Sequence, residues 1–342
     1  MRAIVYSQTG DSSVFQLIER EQQDPAASEV RVRVLVSGVN PTDWKSRKGS
    51  APGAPAAFDQ VVPNLDGAGI IDAIGEDVDT VAVGDRVWIF KAAAQRPTGT
   101  AQEFTVVPAN RVAPLPDGVS FDVGASLGVP AITAHRALTV SEDGPSRLHP
   151  GALDGKTVLV AGGAGAVGHA AIQLARWAGA TVITTISSPE KAALATAAGA
   201  HHTVNYREGD AASEIRAIAP DGVDLIVEVS PAKNAELNVA VAANRASIAV
   251  YANDGGDIMT LDVRTNFALN LRYQFVLLYT VGQDLLELGA ADVTAAAADG
   301  ALGVGEDFGL PLTRFSLEQT GAAHDAVEGA VVGKVLIDVA SE

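Results

Sequence analysis

A glycine-rich turn between an apolar strand and a helix is the feature that most constrains how this chain can fold. The segment "TVLVA" (157–161) is short, apolar and rich in β-branched residues, as is typical of a buried parallel strand. "GGAGAVG" (162–168) follows, and apolar residues then recur at helical spacing from Ala171 to Ala178, where Gly179 is placed to end the helix. Glycines between a strand and a helix that open a βαβ unit have a mechanical role, which a lone G-x-x-G-x-x-G lacks.

The spacing of these glycines predicts a dinucleotide-binding turn. Gly162 would permit the tight turn, Gly165 would let the backbone approach a pyrophosphate, and Gly168 would let helix and strand pack closely. The helix N-terminus then faces the phosphates with its unpaired N–H groups. The cofactor contacts expected from this turn are Gly162, Ala164, Gly165, Ala166, Val167 and Gly168. A flexible turn that holds no ligand is the alternative interpretation.

The residues after the next strand favour NADPH over NADH. "TVITTI" (181–186) is the predicted strand, and NAD-binding versions of this fold place an Asp or Glu at its end to hold the ribose hydroxyls. Here Ser187 and Ser188 follow the strand, and the first carboxylate is Glu190. Ser187 can donate a hydrogen bond to a 2′-phosphate, and Lys191 can neutralise it. An ordinary helix N-cap at Ser188 and a solvated Lys191 are the alternative.

The order of elements predicts an α/β fold with two domains. Strand-like and helical segments alternate beyond the turn, which calls for a doubly wound parallel Rossmann sheet. The further strands are predicted at 202–206, 223–229, 246–251 and 274–281, and the helices at 213–219, at 235–243 and from Asp284 onward. The first 125 residues look mostly β, since "VRVRVLV" (30–36) alternates strictly, and "GKVLIDV" (333–339) is placed to return to them. We therefore expect one domain at 1–125 with 305–342, and a nucleotide-binding domain at 126–304.

Composition excludes several classes of function. The formal net charge of −17 opposes binding to nucleic acid or to an anionic membrane, both of which need clustered Lys and Arg. No apolar run reaches the roughly 18 residues of a membrane span, so we expect a cytoplasmic protein. The chain has no Cys and its six His form no H-x-x-x-H pair, so we expect no metal site.

Several blocks, taken together, resemble the zinc-free, zeta-crystallin-like quinone oxidoreductases of the medium-chain dehydrogenase/reductase superfamily. They cover nearly the whole chain in order: "SGVNPTDWKSRKG" (37–49), "PNLDGAGIIDAIGEDV" (63–78), "VAVGDRVW" (81–88), "GVPAITAHRAL" (128–138), the glycine turn with its helix (158–180) and "NYR" (205–207). The resemblance implies a GroES-like N-terminal domain and NADPH-dependent reduction of a quinone or an electron-poor enone by direct hydride transfer. Such a transfer needs no metal because the acceptor is already electrophilic. Zinc alcohol dehydrogenases are excluded, since their Cys ligands are missing.

The resemblance also implies three catalytic positions. Asn40 corresponds to an asparagine at the mouth of the active site, where its amide would donate to the acceptor oxygen; a turn cap is the alternative. Lys45 stands where many relatives have Tyr, and it either stabilises a developing oxyanion or is simply exposed. Thr133 corresponds to a threonine beside the nicotinamide, although it could equally satisfy its own helix backbone.

Further cofactor contacts follow from the same resemblance. Tyr206 and Lys191 match positions that flank the 2′-phosphate, although Tyr206 alone reads as strand-edge packing. Tyr251 stands after the fifth strand, where relatives usually have glycine. Leu278, Tyr279 and Thr280 fall where relatives close over the cofactor, and a plain buried strand explains Leu278 as well.

Two other functions stay open at this point. An NADPH-dependent reductase of enone or alkenal double bonds would share the fold and the same blocks. An NADPH-binding sensor or structural protein would bind the cofactor without turnover. The family commonly forms homodimers through edge strands, and the apolar segment 272–280 is a candidate for such pairing.

Overall fold

The computed structural model describes residues 1–341 and divides into two units, which are described separately. One unit contains Met1–Val129 together with the chain from Pro311 onward, and the other is Pro130–Leu310. The sequence had led us to expect these divisions at 125/126 and 304/305. Among residues 1–341, no helix is both long and apolar enough to cross a membrane.

The first unit begins with seven strands and a short helix. In chain order they are β1 (Arg2–Val5), β2 (Gln16–Glu19), β3 (Glu29–Val39), α1 (Pro41–Lys48), β4 (Asp66–Ile74), β5 (Arg86–Ile89), β6 (Phe104–Pro108) and β7 (Val112–Pro114). Helix α2 (Phe121–Leu138) then leads into the second unit.

The second unit alternates strands with helices. It contains β8 (Thr157–Ala161), α3 (Ala166–Trp177), β9 (Thr181–Ile186), α4 (Pro189–Ala197), β10 (His202–Asn205), α5 (Ala211–Ile218), β11 (Val223–Glu228), α6 (Pro231–Val241), β12 (Ala242–Val250), α7 (Val263–Ala268), β13 (Arg272–Phe275) and α8 (Gln283–Ala298). The chain returns to the first unit as β14 (Leu312–Ser316), α9 (Thr320–Glu328) and β15 (Lys334–Asp338).

The first unit is built on an antiparallel framework around β3. The strand order is β14-β15-β3-β4-β5-β7, with β6 pairing to β3 beyond this path and β1-β2 forming a separate pair. Val30, Val32 and Val34 are fully buried on β3, while the arginines between them are not, which confirms the predicted alternation. Strand β15 pairs antiparallel with β3, so the C-terminal segment does complete this sheet.

The second unit contains a parallel sheet with the order β10-β9-β8-β11-β12-β13. This order confirms the predicted Rossmann architecture. Its central strand β8 carries Val158, Leu159 and Val160, each at most 1% exposed, as expected for a strand covered on both faces. The strand order reverses between β8 and β11, which opens a crevice at the carboxyl ends of these strands.

The predicted sixth strand at 274–281 is wrong for most of its length, because strand β13 includes only residues 274 and 275 of that range. Strand β13 ends at Phe275, and Leu278, Tyr279 and Thr280 form a 3₁₀ turn. The last ladder bond joins Val276 N to Val250 O, after which both N and Oγ1 of Thr280 donate to Leu277 O. A hydroxyl that bonds its own backbone offers the chain an alternative to the sheet, and β13 is an edge strand with only one neighbour to hold it extended.

Candidate functional site

The glycine turn after β8 has a geometry that only glycine accommodates at two positions. Gly162 has φ +71°, in the left-handed region that favours glycine. At Gly168, a Cβ would lie 2.5 Å from Gly162 O and 3.0 Å from the Cα of Gly163. The start of α3 is therefore pressed against the turn, as the sequence predicted for close packing of helix and strand.

The N-terminus of α3 is open. Gly165 is its N-cap residue, it is exposed, and no side chain caps the helix. A Cβ at Gly165 would meet its nearest neighbour, Gly162 O, at 3.5 Å, so the space above the turn is free. The first-turn N–H groups at Ala166, Val167 and Gly168 have no acceptor inside the helix that begins there. This arrangement suits an anion, while Ala164 is buried beneath it.

The ends of β9 and β10 bring three predicted residues into one region. Tyr206 N donates to Ile186 O at 3.1 Å, which places Tyr206 beside the residue that precedes Ser187. The Tyr206 side chain is 52% exposed. Ser188 Oγ accepts from Lys191 N, so the N-cap interpretation of Ser188 is confirmed, and Lys191 lies half-buried in the first turn of α4. Ser187, Lys191 and Tyr206 are thus near neighbours around the carboxyl end of β9.

A cavity of about 670 Å³ lies in the second unit beyond the carboxyl ends of β12 and β13. Tyr251 and Thr280 line it, together with apolar residues that include Met259, Phe275 and Leu277. Leu278 is buried, and Tyr279 lies between it and Thr280 on the 3₁₀ turn. Burial, with Glu228 and Asp254 nearby, raises the pKa of the Tyr251 hydroxyl, which therefore stays a neutral hydrogen-bond donor.

Thr133 is buried on α2 within the second unit. Arg136, three residues later, lines the 670 Å³ cavity, and residues three apart are neighbours on a helix surface. Within residues 1–341, Thr133 itself is not among the residues that line this cavity, so its place beside the nicotinamide stays a prediction.

Glu228 is a buried carboxylate at the crevice that sequence reasoning missed. It ends β11, is fully buried, and accepts from Ser230 N at 2.5 Å, Asn234 Nδ2 at 3.0 Å and Asn238 Nδ2 at 2.6 Å. These bonds fix the start of α6 to the carboxyl end of β11. The sequence did contain a signal for this residue: Glu228 is an acidic residue inside the apolar run "VDLIVEV" (223–229), and a carboxylate buried in a strand needs hydrogen-bond partners nearby.

In the first unit, Asn40 lies just before α1 and is only 3% exposed. Its Nδ2 donates to Asp66 Oδ2 at 2.7 Å, and its Oδ1 accepts from Lys334 Nζ at 2.7 Å. Its backbone N donates to Asp43 Oδ2 at 2.7 Å, which is one half of a capping box at the start of α1. The sequence pointed to Asn40 but to none of these charged partners.

Burial dominates the electrostatics of this cluster. It raises the pKa of the Asp43 carboxyl, with the Asp66 charge adding to the effect, and it raises the pKa of Asp66 to about 6. Burial also lowers the pKa of the Lys334 ammonium, whereas the nearby carboxylates of Asp66 and Asp43 act to raise it. Lys45, in contrast, is exposed, with its ammonium 5.8 Å from the centre of the Trp44 ring.

Two family models match the chain. The model described as alcohol dehydrogenase GroES-like domain matches residues 26–117, and that described as zinc-binding dehydrogenase matches residues 166–294. The donors needed for zinc are missing: the chain has no Cys, and no group of three or more His, Asp or Glu within residues 1–341 is arranged to hold a metal. The residues present do not fit a zinc site.

Solved structures share the fold over nearly the full length. A mycobacterial quinone oxidoreductase is 28% identical with a TM-score of 0.83, covering 98% of this chain and 99% of that chain. A mycobacterial protein in complex with NADPH is 29% identical with a TM-score of 0.78, again covering 98% and 99%.

Curated relatives agree with these structures. A quinone oxidoreductase of Pseudomonas aeruginosa is 30% identical over 260 residues, which are 75% of each chain. A quinone oxidoreductase of Rattus norvegicus is 36% identical over 240 residues, which are 68% of this chain and 68% of the relative. With both domain models matched in order and the strand order of a Rossmann sheet, the chain belongs to the quinone oxidoreductase family of the medium-chain dehydrogenase/reductase superfamily.

Proposed function

We propose that this protein is an oxidoreductase that transfers a hydride from NADPH to a quinone without a metal. The observation that carries the proposal is the open N-terminus of α3 above the glycine turn, at the same carboxyl edge of one parallel sheet as the 670 Å³ cavity. Ligands of doubly wound folds bind at this edge, with phosphates at the helix N-terminus. Bound NADPH would supply the hydride.

Residues of the second unit would bind the pyrophosphate and the 2′-phosphate of this cofactor. The turn and the first residues of α3 would hold the pyrophosphate. Ser187, Lys191 and Tyr206 would surround the 2′-phosphate. Ser187 brings a hydroxyl donor directly after β9, where an NAD-binding site has a carboxylate, and Lys191 brings a cation in the first turn of α4. In a chain of net charge −17, a phosphate needs such a local cation. The NADPH complex of the mycobacterial relative supports this assignment.

The cavity would hold the nicotinamide and an apolar acceptor. Its volume of about 670 Å³ lies within the range of small-molecule sites, and its lining combines apolar side chains with polar ones that include Arg136, Asn253, Asp257 and Gln274. Tyr251 would contribute a neutral hydroxyl donor there, and Leu278, Tyr279 and Thr280 would support the cavity wall. The catalytic roles of Asn40, Lys45 and Thr133 remain predictions: Asn40 as a donor to the acceptor oxygen, Lys45 as an electrostatic stabiliser, and Thr133 as a neighbour of the nicotinamide.

The decisive experiment measures NADPH oxidation with an ortho-quinone, with an alkyl vinyl ketone and with no acceptor, each repeated with NADH. Quinone-dependent oxidation restricted to NADPH is the expected result. Lys191→Ala should raise KM for NADPH about tenfold and leave that for NADH unchanged, because only the 2′-phosphate contact is lost. Lys156→Met, which removes an exposed ammonium paired with Asp224 at the other end of β8, is the matched control.

Other outcomes would change the proposal. A preference for the vinyl ketone would assign double-bond reduction, and tight NADPH binding with no turnover would assign a sensor. Equal use of NADH by the wild type would refute the 2′-phosphate site.

We also propose a homodimer that pairs through β13. This strand ends the parallel sheet, and exposed apolar side chains cluster in and around it: Phe275 is 63% exposed, Leu277 57% and Phe267 79%. A strand with one unpaired edge and exposed apolar side chains around it is a template for pairing with another chain. A second copy of this chain would pair with the free edge of β13 and cover the exposed apolar side chains at the same time.

A further inference from the structure

A buried ammonium lies against the side chain of Asn40. Lys334 is the first residue of β15 and is 2% exposed. Its Nζ donates to Asn40 Oδ1 at 2.7 Å and to Val39 O at 3.2 Å. A positive charge is therefore held at the oxygen end of the Asn40 amide.

A buried carboxylate lies at the other end of the same amide. Asp66 Oδ2 accepts from Asn40 Nδ2 at 2.7 Å and from Val129 N at 2.8 Å. An ammonium can only donate and an ionised carboxylate can only accept. Rotating the amide by half a turn would bring donor against donor and acceptor against acceptor, so Asn40 has a single orientation.

Two glycines leave room for this arrangement. A Cβ at Gly128 would lie 2.1 Å from Asp66 Oδ1, and a Cβ at Gly38 would lie 3.3 Å from Cε of Lys334. Asp66 Oδ1 itself is buried and has no hydrogen-bond partner among residues 1–341. Burying charges in this way opposes stability unless their partners are well placed, so stability alone does not explain the cluster.

The arrangement leaves one strong donor unused. Asn40 Nδ2 has two hydrogens, and within residues 1–341 one of them is bonded to Asp66 while the other has no acceptor. The ammonium at Oδ1 draws electron density from the amide nitrogen, which makes both N–H groups better donors. A donor that is fixed before the reaction begins loses nothing to reorientation when charge develops on an oxygen.

We propose that Lys334 and Asp66 are positioning residues that hold the Asn40 amide with its second N–H free for the oxygen of the acceptor. This inference rests on the proposed function, because it takes the developing quinol oxyanion as the group that Asn40 serves. Lys334 and Asp66 themselves do not touch the reacting atoms; they act through Asn40.

A double-mutant cycle tests the inference. Asn40→Ala, Lys334→Met and the double variant are compared for kcat, KM for the quinone and Kd for NADPH. We expect kcat to fall roughly a hundredfold in each single variant, with Kd for NADPH unchanged and no further fall in the double variant, since both changes remove the same donor. Lys156→Met is again the control and should keep the wild-type kcat.

Removing Lys334 alone leaves two carboxylates without their counter-charge, so folding must be checked. Lys334→Met combined with Asp66→Asn keeps the cluster close to charge balance and removes both groups that orient the amide. It should show the same loss of kcat with a cooperative thermal transition. Full kcat in this folded variant would overturn the inference.

A measurement without turnover separates the inference from the proposed function. The two Nδ2 protons of Asn40 should give distinct side-chain resonances in an amide NMR spectrum of the wild type. In the Lys334→Met, Asp66→Asn variant these resonances should shift together. An inactive wild type would refute quinone reduction, whereas additive effects in an active enzyme, or unshifted Asn40 resonances, would refute the positioning role alone.

Discussion

Gly165→Ala should weaken NADPH binding without unfolding the protein. Gly165 has φ −85° and ψ 159°, which any residue adopts, and an added Cβ would meet its nearest atom at 3.5 Å. Replacing an N-cap glycine by alanine costs up to about 1 kcal/mol, and the stiffer unfolded chain offsets about 0.4–1 kcal/mol of this. We therefore expect a change in the free energy of unfolding within about 0.5 kcal/mol, or roughly 2 °C in Tm.

The added methyl group lies where a pyrophosphate would approach the open end of α3. Separating an anion from the first-turn N–H groups forfeits a charge-assisted hydrogen bond and part of the helix-dipole attraction, together about 2 kcal/mol. This corresponds to a Kd for NADPH that is roughly thirtyfold higher. Isothermal titration calorimetry gives the affinity, and calorimetric unfolding gives the stability.

A glycine in a helix of the other unit provides the control. Gly321→Ala on α9 would place its Cβ 3.4 Å from Ser12 O, an ordinary contact. It should raise stability slightly, by about 0.5 kcal/mol, and leave NADPH binding unchanged. If Gly165→Ala bound NADPH within twofold of the wild type at an unchanged Tm, the pyrophosphate would not lie on the N-terminus of α3.

Three further changes test other parts of the structure. Asp292→Asn should lower the free energy of unfolding by about 3 kcal/mol at neutral pH, because buried Asp292 accepts from Arg147, from Leu148 N and from His135. These partners hold the pKa of Asp292 well below its usual range, so in denaturant unfolding the deficit should shrink as pH falls below about 4, where Asp292 of the unfolded wild-type chain takes up a proton. Burial lowers the pKa of His169 to about 4, so between about pH 6.5 and pH 4 this histidine is protonated in the unfolded chain and neutral in the folded chain, and the free energy of unfolding should fall as the pH is lowered through this range. His169→Gln should make this fall less steep, and an unchanged slope would contradict the prediction. Phe275→Glu should convert the proposed dimer to a monomer in sedimentation at unchanged Tm, whereas a monomeric wild type would contradict pairing through β13.

The features predicted correctly from the sequence are those that local backbone physics determines. Hydrophobic alternation placed β3, and the glycine spacing placed the turn between β8 and α3. Both follow from the geometry of a few neighbouring residues, so no distant contact was needed to recognise them. The parallel sheet then follows from the repeated alternation of strands and helices.

The end of β13 was mispredicted because the deciding contacts are not hydrophobic. The run 274–281 is apolar except for Gln274 and Thr280, and its hydrophobic pattern gives no reason to end the strand at Phe275. Strand β13 has a partner on one side only, and the backbone of Leu277 is satisfied by Thr280 once the ladder with β12 ends. Edge position and local hydrogen bonding decided the boundary, and neither is visible as a hydrophobic pattern.

The charged cluster around Asn40 was beyond sequence reasoning for a different reason. Asn40, Asp66 and Lys334 come from the end of β3, the start of β4 and the start of β15, so nothing in their spacing relates them. The pairing of β15 with β3 opposes Val335 to Val39 and brings Lys334 within reach of the residue after β3. From its neighbours in the sequence alone, Lys334 would be predicted to be exposed, as most lysines are.

In the proposed function, the same cluster would let one amide serve in a site without a metal. Reduction of a quinone places negative charge on an oxygen, and a metal-free site has to meet that charge with hydrogen-bond donors that are already in place. An exposed Lys45 would be screened by water and mobile, whereas the ammonium of Lys334 is buried and bonded to the amide it polarises. If this reasoning is right, Lys45→Met should change kcat far less than Lys334→Met. The reverse order would place the charge that stabilises the oxyanion on the surface of α1.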